Sequence, residues 1–149
     1  MPAADSIEVL NRLQIIHHRS LPMYLGYATP YLMRGDEKAR EVLAQIVEYQ
    51  KELVDRIGEL IIERGGRVHH GEFPMYFTGL HDLSLEYLVR RMIADMKRDV
   101  AAIERCAAEL DDDPLAKAIA EEALGAAKGH LDSLEELVNA PAASGGVGE

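Results

Sequence analysis

Apolar residues recur every three or four positions along most of this chain, and one interval of about 17 residues, Gly65 to His81, breaks the repeat. That interval limits how the helices can be stacked. Ahead of it, Leu43, Ile46, Val47, Gln50, Leu53, Val54, Ile57, Leu60 and Ile61 fall on one side of a helix. Glu48, Glu52, Asp55, Glu59 and Glu63 fall on the other. Two other connections are short, at Arg34-Gly35-Asp36 and Asp111-Asp112-Asp113-Pro114, and tight turns place neighbouring helices antiparallel. A helix of about 27 residues is roughly 40 Å long. At roughly 3.3 Å per residue, the long interval can run the whole length of such a bundle. It reads as a long crossover between the second and third helices, which a simple up-down-up-down bundle does not need. Phe73, Pro74, Met75, Tyr76 and Phe77 give it apolar surface with which to pack.

Local signals bound four helices. The first runs from about Ser6 to Met33, with Asp5 as N-cap and Glu8 placed to answer it. Pro22 predicts a kink near His18, and Thr29-Pro30 a second break. Asp36 caps the second helix and Gly65-Gly66 ends it. The third starts near Asp82 or Ser84 and carries Leu85, Val89, Met92, Met96, Val100, Ile103, Ala107 and Leu110. Asp113 and Pro114 start the fourth, with Ala116, Ala120, Ala123, Ala127, His130, Leu134 and Leu137 on one line. The expected fold is therefore all-α, one bundle over residues 6–139. The Ala-, Ser- and Gly-rich tail, 140–149, reads as flexible.

Composition narrows the function classes. With 26 Asp plus Glu against 16 Lys plus Arg, and no basic run, the chain is not expected to bind nucleic acid. No stretch is long and apolar enough to span a membrane and no signal peptide opens the chain, so the cytoplasm is the expected location. A single cysteine, Cys106, excludes an internal disulfide and a cysteine metal cluster, and reads as packing.

One stripe of the first helix is interrupted by chemistry. Ile7, Leu10, Gln14, His17, Leu21, Tyr24 and Ala28 step by three and four, so His17 lies on a core-facing line. A titratable ring there is costly unless it has a partner. His130 stands on the corresponding line of the fourth helix. His18 is about 100° around from His17 and does not share its site.

The stretch from Ser6 to Asn139 resembles the ferritin-like superfamily. Leu10-Asn11-Arg12-Leu13 through Tyr24 to Ala28 is similar to the opening helix of bacterioferritins. Asp55 to Gly66 is similar to second helices of the superfamily, and Lys128-Gly129-His130-Leu131-Asp132-Ser133-Leu134-Glu135 resembles the segment after a ligand glutamate. The resemblance implies a ferritin-like four-helix bundle with a long crossover between helices two and three. It also implies two irons, each half of the bundle giving one Glu and one Glu-x-x-His pair. Residues three apart share a helix face, which lets one helix grip adjacent irons.

Here that pattern is broken. His17 stands where the first helix would give Glu, and the second helix shows Gln50 and Leu53. Glu48-Tyr49-Gln50-Lys51 ends in Lys and faces solvent. The third helix turns Met92 and Met96 inward, and Ala127-Lys128-Gly129-His130 keeps only the His. No inward carboxylate is expected, and hard oxygen donors are what favour iron in such sites.

The lead expectation is a bundle that has lost the di-iron ferroxidase centre and acts as a structural or interaction protein rather than an enzyme. Tyr27, Tyr31 and Phe77 suggest a homodimer. The alternative is a metal-binding or redox protein with a modified site on His17 and His130, completed by Gln50 or Glu122, holding iron or another transition metal. A third reading places a small organic ligand among Met92, Met96 and Tyr24. His69-His70-Gly71-Glu72 reads as a polar loop with some capacity for a surface metal. His81-Asp82 reads as a helix start. Tyr24, Tyr27 and Tyr31 read as bundle-wall residues.

Overall fold

The computed structural model describes residues 2–28, 37–75, 77 and 85–139. Among them the regular structure is helical, with no strand. The helices are α1 (Pro2–His18), α2 (Leu21–Ala28), α3 (Glu37–Glu63), α4 (Leu85–Ala108) and α5 (Pro114–Asn139). The expected cap at Asp36, the start of the third helix at Asp82 or Ser84, and the tail 140–149 lie outside the described residues, as do Tyr31 and His81. No described helix is long and apolar enough to cross a membrane.

The first expected helix is two. It begins at Pro2, so Asp5 lies inside the helix instead of capping it. It stops at His18, and Pro22 does more than kink it. Ser20 caps a new helix, its Oγ accepting from the Met23 amide at 3.3 Å, and Pro22 sits in the first turn of α2 where its missing N–H costs nothing. Leu21, Met23 and Leu25 of α2 are buried, which anchors the short helix to the core.

The other described caps follow the local sequence. Gly65 takes φ +80°, a left-handed conformation that suits glycine. The Gly65 amide bonds to the Ile62 carbonyl and the Gly66 amide to the Ile61 carbonyl, both at 2.9 Å, which satisfies the carbonyls left over at the end of α3. Gly66 also lies so close to Ile7 that an added Cβ would meet it at 2.7 Å. Asp113 caps α5 by accepting from the Ala116 amide at 3.3 Å. Its carboxylate also takes a two-pronged ion pair from Arg64 and a hydrogen bond from Ser6, so the ends of α1, α3 and α5 meet on one residue.

These contacts set the helix directions. Ile7 meets Gly66 and Ser20 meets Gln50, so α1 and α3 are antiparallel. Arg12 pairs with Glu109, just past α4, at 2.7 Å, and His17, further along α1, lines one space with Asp99, earlier in α4, so these two helices are antiparallel. Arg64 meets Asp113, Arg56 meets Glu122 and Tyr49 meets His130, so α5 is antiparallel to α3. Helices α1 and α5 therefore run one way, and α3 and α4 the other.

Residues 66–75 form a strap along α1. Asn11 Nδ2 donates to the Arg67 carbonyl at 2.9 Å, and the His69 amide donates to Asn11 Oδ1 at 2.8 Å. Gln14 Nε2 donates to the His69 carbonyl at 2.6 Å and Arg19 Nε to the His70 carbonyl at 2.9 Å. Further on, Tyr24 packs against Phe73 and Phe77, with ring centroids 5.2 and 5.4 Å away. Of the apolar residues expected to pack, Phe73 and Phe77 do so, Met75 is 84% exposed and Tyr76 lies outside the described residues, while Asn11, Gln14 and Arg19 serve the strap's backbone groups.

The core lies between the helices. Leu10, Leu13, Ile46, Leu53, Ile57, Ile61, Leu88, Met92 and Ile103 are fully buried. The inner line of α5 is mostly alanine, with Ala116, Ala120, Ala123 and Ala127 buried, and small side chains let neighbouring backbones approach. Cys106 is buried and its thiol is pushed up by that burial, so it is packing.

Candidate functional site

Halfway along the bundle the four long helices bring polar side chains to one place. His17 from α1, Gln50 from α3, Asp99 from α4 and His130 from α5 line a single enclosed space, with Tyr49, Met96, Ile103 and Ala127 around them. The side chains pack closely enough that no water molecule fits between them.

Each member is held by its own element. His17 is one turn beyond Leu13, and its Nδ1 lies 2.9 Å from the Leu13 carbonyl oxygen. A carbonyl only accepts, so Nδ1 carries the proton and the Nε2 lone pair of the neutral ring remains for the cluster. Burial pushes His17 down to about 4; the Leu13 carbonyl opposes this, and His130 adds to it. His130 is likewise lowered by burial. Gln50 Oε1 accepts from the Ser20 hydroxyl at 2.7 Å, tying the cluster to the cap of α2. Tyr49 sets its ring edge against His130 at 5.4 Å.

Asp99 corrects the expectation that no carboxylate points inward. Burial pushes it up to about 7, Asp95 adds to the effect and Arg98 opposes it. Asp99 also lines a groove of about 260 Å³ that is open to solvent, bounded by Arg19, Glu72, Phe77 and Arg98 among others. It therefore stands between bulk water and the two imidazoles. The sequence held a signal for it. Met92, Met96, Asp99 and Ile103 step by four, three and four; Asp99 and Val100 are both half-buried, and it is Asp99 that lines the space.

The remaining candidates lie elsewhere. Glu122 does not line the space; it accepts from both arms of Arg56 at 2.7 and 2.9 Å and from the Tyr49 hydroxyl at 3.1 Å, near the surface. Arg56 holds the Glu122 carboxyl below its usual range, and burial with Glu122 pushes Tyr49 up to about 12. Met96 lines the space, while Met92 and Tyr24 do not. Among the described residues no three His, Cys, Asp or Glu side chains are arranged to hold a metal ion.

The chemistry open to the cluster is proton holding. Two neutral imidazoles face a carboxyl group that changes charge near neutral pH. The chain matches no protein-family model, no curated protein and no solved structure. The reading of this site rests on its own residues.

Proposed function

We propose that this is a ferritin-like four-helix bundle whose di-iron position has become a neutral polar cluster, and that it works as a structural or interaction protein. Two features support the fold reading: α3 and α4 run in the same direction, and the strap from the end of α3 follows α1 as a long crossover would. The observation that carries the functional reading is the donor set. A di-iron centre draws on a Glu from each of two helices and a Glu-x-x-His pair from each of the others. At the middle of this bundle stand His17, Gln50, Leu53, Asp99, Ala127 and His130, with Asp99 the single carboxylate lining the space among the described residues. These residues do not fit two irons. Anaerobic loading with Fe²⁺ followed by elemental analysis is expected to find far less than stoichiometric iron. About two irons per chain, the family's complement, overturns the reading.

The proposal includes a homodimer, on changed grounds. Phe77 is 3% exposed and covered by its own chain, so it no longer argues for a partner. Ile62 and Leu115 do: they are 65% and 56% exposed, each two residues from the Arg64–Asp113 pair that joins α3 to α5. Sedimentation of the parent and of Ile62→Glu tests this; a parent that sediments as a monomer overturns it.

A second reading, a mononuclear metal site on His17 and His130, draws on Asp99 for a carboxylate where Glu122 does not reach, although the three side chains are not arranged to hold an ion as they stand. It requires the side chains to move apart, since their present packing leaves no room for an ion with its water. In that case His17→Ala loses metal binding and keeps its helical spectrum; unchanged binding removes His17 as a ligand.

A further inference from the structure

The last turn of α1 carries a second histidine that takes no part in the central cluster. His18 follows His17 but lies about 100° around the helix, beside the strap. Its Nδ1 is 3.0 Å from Gln14 Oε1. The amide of Gln14 is oriented from its other end, where Nε2 donates to the His69 carbonyl at 2.6 Å. An amide oxygen only accepts, so His18 Nδ1 carries the proton and Nε2 keeps the lone pair.

The ring of His70, on the strap, meets that of His18 edge-on, with centroids 5.3 Å apart and planes at 79°. Two imidazoles bound to one tetrahedral cation through bonds of about 2.0–2.1 Å have centroids about 5 Å apart. The pair already stands at that spacing, and His70 is exposed, so an ion reaches it from solvent. The surroundings act in both directions. Helix α1 ends at His18, where carbonyls of the last turn present negative partial charge. At His18 itself burial, Arg19 and His70 disfavour positive charge, and Asp55 on α3 favours it. Arg19 opposes, but its guanidinium is drawn aside over Phe73, 4.8 Å from the ring centre, and to the His70 carbonyl.

We propose that His18 and His70 form a surface site for an imidazole-preferring divalent cation, Zn²⁺, Ni²⁺ or Cu²⁺, which staples the strap to α1 just before the break into α2. His18 Nε2 and a ring nitrogen of His70 are the protein ligands, and water fills the other positions. The site draws on no residue of the central cluster.

Calorimetric titration of the full chain with Zn²⁺ tests it, with Cu²⁺ electron paramagnetic resonance as a second probe. The parent should bind about one Zn²⁺ per chain, and Zn²⁺ should raise its Tm. His18→Ala and His70→Ala should each weaken binding by about tenfold or more and abolish the Tm rise. His69→Ala, whose backbone but not ring is used by α1, should bind as the parent does. Bound Cu²⁺ should show two nitrogen ligands in the parent and fewer in either variant. His70 is exposed, so its variant folds even if loss of His18 disturbs α1. A parent that binds no Zn²⁺, undiminished binding in His70→Ala, or equal loss in His69→Ala overturns the site.

Discussion

Asp113 and Asp99 are both largely buried aspartates, set at the end and at the middle of the same bundle. Asp113 meets Arg64, the Ser6 hydroxyl and a backbone amide of α5, and Arg64 first among these holds its carboxyl below the usual range. Asp99 meets imidazoles, a carboxamide and apolar side chains, with Arg98 at the solvent edge, and burial raises it to about 7. The difference lies in whether burial is compensated. A compensated carboxylate is a joint, and its charge strengthens the fold. An uncompensated one costs stability. A chain that keeps such a group among two neutral histidines has placed there a group able to exchange protons near neutral pH.

The comparison breaks most visibly at the joint. Asp113→Ala removes an N-cap and a charged hydrogen-bonded pair together, and should cost about 2–3 kcal/mol in urea unfolding. The contribution of Asp113 is present above the ordinary carboxylate value and disappears as pH falls through its lowered folded value. Parent and variant should therefore converge in strong acid; a constant difference would deny the joint its charge.

At the centre the sign reverses. The unfolded chain releases the Asp99 proton near the ordinary value of 3.8, and the folded chain only near 7. Between them the folded state holds the extra proton, so Asp99 makes stability fall as pH rises. His17 acts oppositely between about 4 and 6.5, where the unfolded chain holds the extra proton and stability rises with pH. The two slopes offset each other in the parent. Asp99→Asn removes the falling one, so the variant should gain on the parent steadily through this window, by roughly 1.4 kcal/mol per pH unit at most and a few kcal/mol by neutral pH. Parallel pH profiles would show that Asp99 is not buried as described. The smallest effect belongs to Glu122→Gln: its pair with Arg56 is about half exposed, and the loss should stay below about 1 kcal/mol and shrink with salt. A larger loss would place Glu122 in the core after all.

Legibility in the sequence followed the range of each interaction. Asp113 and Gly65 act on backbone groups within a few residues, so local chemistry revealed both caps. Ser20 is equally local, yet Pro22 by itself predicts a kink in one helix where a cap and a restart are encoded. His17 and His130 stood out because they interrupt apolar lines. Asp99 did not, because its apolar neighbour Val100 fits nearly the same line. Glu122 was misplaced for a different reason: Arg56, which holds it at the surface, lies on another helix and 66 positions away. Gln14 shared a stripe with His17, but its amide serves the strap and His18.

The strap's attachment has an evolutionary consequence. Asn11, Gln14 and Arg19 grip the carbonyls at positions 67, 69 and 70, atoms that every residue type possesses. The side chains at those positions are thereby released from the duty of holding the segment in place. Selection can rewrite them freely, acquiring or discarding a ligand such as His70, while the demand for sequence fidelity falls on the helix beneath.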